Sequence, residues 1–147
     1  MKKILALVAG VLAFAAVASA QPRALGVRAG WPVGELSYQQ SLGSNFTEFD
    51  LGWFHNGINL VGVYDLVFAS ANIFNFYIGP GAQVGFYRYS DVNGDVMKFN
   101  VGVVAQLGVE AEIPSIPINL SLDWRPTIFS LGGTYWGGVA LGIRYRF

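Results

Sequence analysis

From Tyr135 to Phe147 the chain runs in two parities, one mostly apolar and the other mostly polar or small, with Gly137 and Trp136 as exceptions. Phe147, Tyr145, Ile143, Leu141 and Val139 fall on one parity, and Arg146, Arg144, Gly142, Ala140 and Gly138 on the other. A period of two is the mark of a β-strand with two unlike faces. The same alternation recurs upstream. Ile118, Leu120, Leu122, Trp124 and Ile128 oppose Asn119, Ser121, Asp123, Arg125 and Thr127, while Phe99, Val101, Val103 and Leu107 oppose Lys98, Asn100, Gly102, Gln106 and Glu110. Phe74, Phe76, Ile78, Val84 and Phe86 oppose Asn75, Tyr77, Gly79, Gln83 and Gly85, and Phe49, Leu51 and Trp53 oppose Glu48, Asp50 and Gly52. Turn signals cut the chain into eight strands, over 24–31, 34–42, 46–54, 58–68, 73–89, 96–112, 117–128 and 135–147. Asn56-Gly57 and Asn93-Gly94 are the strongest hairpin signals, because both residue types tolerate positive φ. The fourth strand alternates least cleanly, with Val61, Val63 and Val67 sharing a face with Asn59 and Asp65. Pro80 is out of place inside a strand and predicts a bulge or kink.

The first twenty residues read differently. Met1-Lys2-Lys3 precedes an apolar run over Ile4–Ala18, and Ala18-Ser19-Ala20 supplies small residues for cleavage before Gln21. This is the pattern of a secretory signal peptide over 1–20, cleaved after Ala20. The run is shorter than the roughly 20 residues a transmembrane helix needs. The expected mature chain, 21–147, is then one small domain. Without Lys2 and Lys3 it carries seven basic against nine acidic residues, a net charge of about −2. It has no basic stripe, so nucleic acid is not expected as a partner. With no cysteine, disulfides and thiolate metal sites are excluded.

Charged residues make up 12% of the chain, against roughly 25–35% on a well-solvated surface. That scarcity bears on which face of the strands turns outward. Eight strands could close as a water-soluble barrel with the apolar face inside, or as a membrane barrel with the polar face inside. An eight-stranded barrel is only just wide enough for its own side chains, too narrow for the aromatics of the apolar face but suited to the glycine-rich polar face. The inferred interior carries Arg28, Lys98, Arg125, Arg144 and Arg146 with Glu35, Glu48, Asp50, Asp65, Glu110, Glu112 and Asp123, which can largely neutralise one another as buried charges must. With the N-terminus on the inner side, Trp31, Trp53, Phe86 and Tyr135 fall near the outer rim. Tyr64, Phe68, Phe74, Phe76, Tyr145 and Phe147 then fall near the inner rim, giving the two aromatic belts that membrane interfaces favour. The expected fold is an all-β, eight-stranded antiparallel up-and-down transmembrane β-barrel in the bacterial outer membrane. A closed barrel has no free edge, so a monomer is expected.

Gly34-Glu35-Leu36-Ser37-Tyr38, Asp50-Leu51-Gly52-Trp53, Gly79-Pro80-Gly81, Leu120 to Pro126 and Gly142 to Phe147 together give the chain a family likeness. It resembles the small outer-membrane barrels of the OmpA/OmpX type, and more closely the compact outer-membrane β-barrel proteins of Bacteroidetes-type Gram-negative bacteria. The resemblance implies architecture and location but no reaction, lipid as the surrounding partner, and Phe147 as a terminal signal to the barrel-assembly machinery. The outer connections read as very short, which argues against adhesion of the long-stranded OmpX kind.

The candidate chemistry is thin. His55 is the single histidine, and a Ser-His-acid arrangement for lipid hydrolysis cannot be assembled around it. Gly79 to Gly85 has the wrong spacing and context for a dinucleotide loop. Asp91-Val92-Asn93-Gly94-Asp95 resembles half of a calcium loop but reads as a hairpin turn. No catalytic residue, metal or cofactor is expected. The remaining candidate site is a charge cluster contributed by strands six to eight: Glu110, Asp123, Arg125, Arg144 and Arg146. It reads either as a polar plug or as the lining of a narrow conduit. The leading expectation is a non-enzymatic, plugged barrel serving envelope structure or surface interaction. A passive pore comes second and a lipid A-modifying enzyme third.

Overall fold

In a computed structural model of the protein, residues 23–30, 34–54 and 56–147 are described. The expected signal peptide, Trp31, the Pro32-Val33 turn and His55 lie outside them. Ten strand segments follow in order: β1 (Arg23–Gly30), β2 (Gly34–Leu42), β3 (Asn45–Phe54), β4 (Gly57–Ala71), β5 (Phe74–Asp91), β6 (Gly94–Glu112), β7 (Ile118–Trp124), β8 (Thr127–Phe129), β9 (Thr134–Tyr135) and β10 (Val139–Arg146). Except for β7 with β8 and β9 with β10, neighbours in sequence pair antiparallel, and β10 returns to β1 with Ala24 opposite Arg146 and Gly30 opposite Ala140. The sheet therefore closes on itself.

The ring has eight strands, because β7 with β8 and β9 with β10 are the two halves of the last hairpin. β7 and β8 hold one register against β6, with Trp124 opposite Leu107 and Phe129 opposite Gly102. They part at Arg125-Pro126. There Pro126 accepts a bond from the Ala105 amide at 3.1 Å but has no N–H to return. On the other side the register slips by one residue between Trp124–Val139 and Thr127–Tyr135, the signature of a bulge. The unbroken strands expected over 117–128 and 135–147 are corrected accordingly.

Sidedness follows from exposure. Leu25, Val27, Leu51, Leu60, Ile78, Val103, Leu122, Leu141 and Ile143 are exposed, whereas Arg28, Glu35, Glu48, Asp50, Gln106, Asp123, Arg125 and Arg144 are buried. The barrel is inside out, polar within and apolar without, which is stable only when the outside meets lipid. The outward run from Phe76 to Phe86 covers roughly 33 Å of strand, or about 25 Å of height at the usual tilt, the thickness of a barrel's apolar band. Tyr64, Phe68, Phe74, Tyr145 and Phe147 point outward near one end, and Trp53 and Phe86 near the other. The fourth strand's mixed face also resolves: Asn59, Val61, Val63 and Asp65 all turn inward, and Val61, Val63 and Val104 form a small apolar cluster inside the lumen.

Three local expectations need correction. The bulge in this part of the sheet lies at Phe68, where the β4–β5 register shifts between Val67 and Ala69. At Pro80 the register is continuous on both sides, and the β4 ladder merely skips Tyr64 and Asp65. Lys98 is exposed rather than interior. It stands on a β5–β6 hairpin whose residues 89–99 rise past the start of β4 and the end of β8, where there is no lumen to enter. The outer connections are thus not all short, since one is a projecting arm closed by Val92-Asn93, with Gly94 at φ 120°.

Candidate functional site

The lumen holds an ion-pair plug between two cavities. Arg125, freed from regular pairing at the β7–β8 break, sits on the seventh strand of the ring, diametrically across from β3. Its guanidinium spans the lumen to Glu48 at 2.7 Å and Asp50 at 2.5 Å, reaches Glu35 of β2 at 3.5 Å, and donates through Nε to Gln106 at 2.6 Å. Arg28 of β1 bridges Glu35 and Asp123, its Nε lying 2.8 Å from the Asp123 carboxylate. Arg144 of β10 pairs with Glu48 at 2.9 Å and donates to the hydroxyls of Ser37 and Ser121, each at 2.8 Å. Arginine suits this work, since its planar fork can serve several oxygens at once and never deprotonates.

Small residues make the crossing possible. A Cβ on Gly108 would collide with the Tyr77 ring. Gly108 faces Tyr77 directly across the β5–β6 ladder, so the ring lies over the bare backbone and its hydroxyl reaches Asp123 at 3.4 Å. Tyr77 also packs edge-on against Phe46, with ring centroids 5.0 Å apart.

The five residues singled out from strands six to eight therefore do not form one cluster. Asp123, Arg125 and Arg144 join the plug, but their partners lie mostly on β1, β2 and β3. Glu110 is buried outside the ion pairs formed among the described residues and accepts from Asn119 at 2.8 Å and Asn75 at 3.4 Å. Arg146 sits at the rim near the chain termini, where it binds Glu112 at 2.6 Å and the Ile113 carbonyl at 2.9 Å, tying down the turn before β7. Among the described residues, three buried arginines face six buried carboxylates: Glu35, Glu48, Asp50, Asp65, Glu110 and Asp123. Four of the six share the three arginines, and the other two are Asp65, held by Gln106 at 3.2 Å, and Glu110.

Beyond the plug the lumen opens at both ends. The cavity on the side of the termini is about 810 Å³ and is lined by Gln39, Asn75, Glu110, Glu112, Asn119 and Arg146 among others. The cavity under the arm is about 360 Å³, with Arg28, Glu35 and Arg125 at its floor. Its walls carry Asn59, Gln83, Tyr87, Tyr89, Asn100 and Phe129. Gln83 donates to the Tyr87 hydroxyl at 3.2 Å, Asn100 to that of Tyr89 at 3.3 Å, and Asn59 to Gln83 at 3.4 Å.

No protein-family model matches this sequence, and no curated protein matches it either. The fold is similar to the crystal structure of Neisserial surface protein A. The TM-score is 0.57 and the identity 13%, over 86% of this chain and 94% of that one. At this identity the likeness is one of fold: a closed, all-β, antiparallel ring of eight strands.

Reading by alternation found the lumen parity but not the partners across it. The arm-side wall was missed altogether. Its signal was present, since Asn59, Gln83, Tyr87 and Asn100 all fall on interior parity at the ends of their strands away from the termini.

Proposed function

We propose that this protein is an integral outer-membrane β-barrel that acts without catalysis: a plugged scaffold that displays its arm-bearing end at the cell surface. The observation that carries the reading is the inside-out barrel braced by arginines across its whole width. A lumen filled in this way gives a membrane-spanning wall rather than a passage. Similarity of fold to a protein named for the surface supports the placement, and so does the likeness of the terminal strand to small outer-membrane barrels. The projecting arm gives the surface reading a physical basis, as Val92 at its tip is 97% exposed and lies at the end of the barrel away from Arg146.

The absence of cysteine in the sequence makes the test direct. In a Val92→Cys variant expressed in intact Gram-negative cells, a membrane-impermeant maleimide should label the protein before lysis. An equivalent cysteine at Ser115, in the turn on the opposite side, should label only after lysis. Reversed labelling, or recovery outside the outer-membrane fraction, would overturn the reading. Assembly by the cell's barrel-insertion machinery through β10 and Phe147 belongs to the same proposal. Phe147 exchanges both backbone hydrogen bonds with Arg23, at 2.8 and 3.2 Å, and leaves its ring exposed for recognition.

A further inference from the structure

We infer that the cavity under the arm is a binding site for a neutral saccharide unit; the inference rests on the reading that this end faces the cell exterior. The cavity's size, about 360 Å³, is at the small end of ligand clefts, which run roughly 300–1,000 Å³. That suits a compact sugar unit better than a long chain.

The wall chemistry narrows the class. Asn59, Gln83 and Asn100 are amides, which donate and accept at once as sugar hydroxyls do. They are grouped with tyrosine hydroxyls in short chains, Asn59 to Gln83 to Tyr87 and Asn100 to Tyr89. The aromatic surfaces of Tyr87, Tyr89 and Phe129 offer flat apolar faces beside those polar tips, which matches a pyranose with its C–H face and its ring of hydroxyls. Two features hold these aromatics in place. The Tyr87 ring lies along its own strand over Gly85, where a Cβ would come within 2.9 Å of it, and it meets Phe129 edge-on at 5.9 Å. Lys98 sets its ammonium 5.5 Å from the centre of the Tyr89 ring, a cation–π contact within the arm that steadies that ring.

The floor argues for a neutral ligand. Arg28 and Arg125 are engaged by Glu35, Glu48, Asp50 and Asp123, so neither guanidinium is left to recruit an anion. An alkyl chain fits worse, since hydrocarbon would offer nothing to the amide donors and acceptors that the wall's own chains leave over. The sugar could arrive free or as the headgroup of a glycolipid in the outer leaflet.

The test uses the mature barrel refolded in phosphatidylcholine nanodiscs, with heat-shifted gel mobility to confirm folding. Galactose, N-acetylglucosamine and lactose are titrated by calorimetry and saturation-transfer NMR. A neutral glycolipid, monogalactosyl diacylglycerol, incorporated into the discs, forms a separate arm. At least one soluble probe, or the glycolipid, should bind with a Kd below about 1 mM. Gln83→Met, which keeps the volume and removes the amide, should weaken that binding at least tenfold, and so should Tyr87→Leu. Binding of a soluble probe points to a free saccharide, whereas sensitivity to Gln83→Met with the glycolipid alone points to a headgroup. Failure of every probe, or binding that Gln83→Met leaves unchanged, overturns the inference. Cysteine labelling that places the arm on the inner side would sink the surface reading instead, while leaving measured sugar binding intact.

Discussion

Arg125 is the residue on which the lumen depends most. It is buried, and its three carboxylate partners come from the far side of the ring. Arg125→Met keeps the length of the side chain but strands Asp50 in a low-dielectric interior and leaves Glu48 with Arg144 as its remaining cation. Removing one partner of a buried pair costs about 3–5 kcal/mol, and the urea midpoint for unfolding from lipid vesicles should fall accordingly. The carboxylates, rather than the missing guanidinium, are the source of that loss. Adding Asp50→Asn to Arg125→Met, with Glu48 kept as the partner of Arg144, should therefore recover much of the stability, although the double variant has fewer charges than the single one. A double variant no more stable than Arg125→Met would show that the guanidinium acts by packing instead. Arg146 is the contrast. Its side chain is 27% exposed at the rim, where ion pairs are worth up to about 1 kcal/mol, so Arg146→Met should be nearly silent in the same measurement.

At the scale of the strand, stability rests on keeping each parity on its own side. Leu141 is 65% exposed on β10, midway along the outer wall, and its neighbours Ala140 and Gly142 face the lumen. Leu141→Arg should lower stability by about 2–4 kcal/mol, the penalty for a cation near the bilayer midplane, measured as the shift in folding free energy into vesicles. A shift below about 0.5 kcal/mol would mean that this wall does not meet lipid. Such parity was legible in the sequence because it is a local property, repeated every second residue from Phe49 to Tyr145. Breaks in the ladder were less legible. Pro80 looked like the disruptive residue, yet it keeps its register with β6, and the bulge falls instead at Phe68, in a strand with no proline. Arg125-Pro126 gave no sign in the alternation that pairing would lapse, since Trp124 and Ile128 still match in parity. Long-range partners were least legible of all. Which acid Arg125 meets depends on how far around the ring β3 lies, and nothing local to either strand encodes that distance.

For the whole molecule, the question is whether two cavities and a plug amount to a wall or a gate. The cavities of about 810 and 360 Å³ approach from opposite ends, and Arg28, Arg125 and Arg144 cross the space between them on separate strands. Although the braces share Glu35 and Glu48, each arginine stands on its own strand, so loss of one should leave the other two in place. The wild-type barrel and Arg125→Ser should both be silent in a planar bilayer. Arg28→Ser combined with Arg125→Ser removes the two braces nearest the arm and leaves Glu35, Asp50 and Asp123 without their guanidinium partners. Any current through that variant should favour cations, because an unbalanced ring of carboxylates attracts them and repels anions. The reversal potential in a potassium chloride gradient reads the sign directly. Discrete openings in the wild type would overturn the plug, because they would require the ion pairs to part at no greater cost than a membrane potential can supply. Anion preference in the double variant would overturn the charge argument alone, and would mean that Arg144 and the rim arginines outweigh the carboxylates they face.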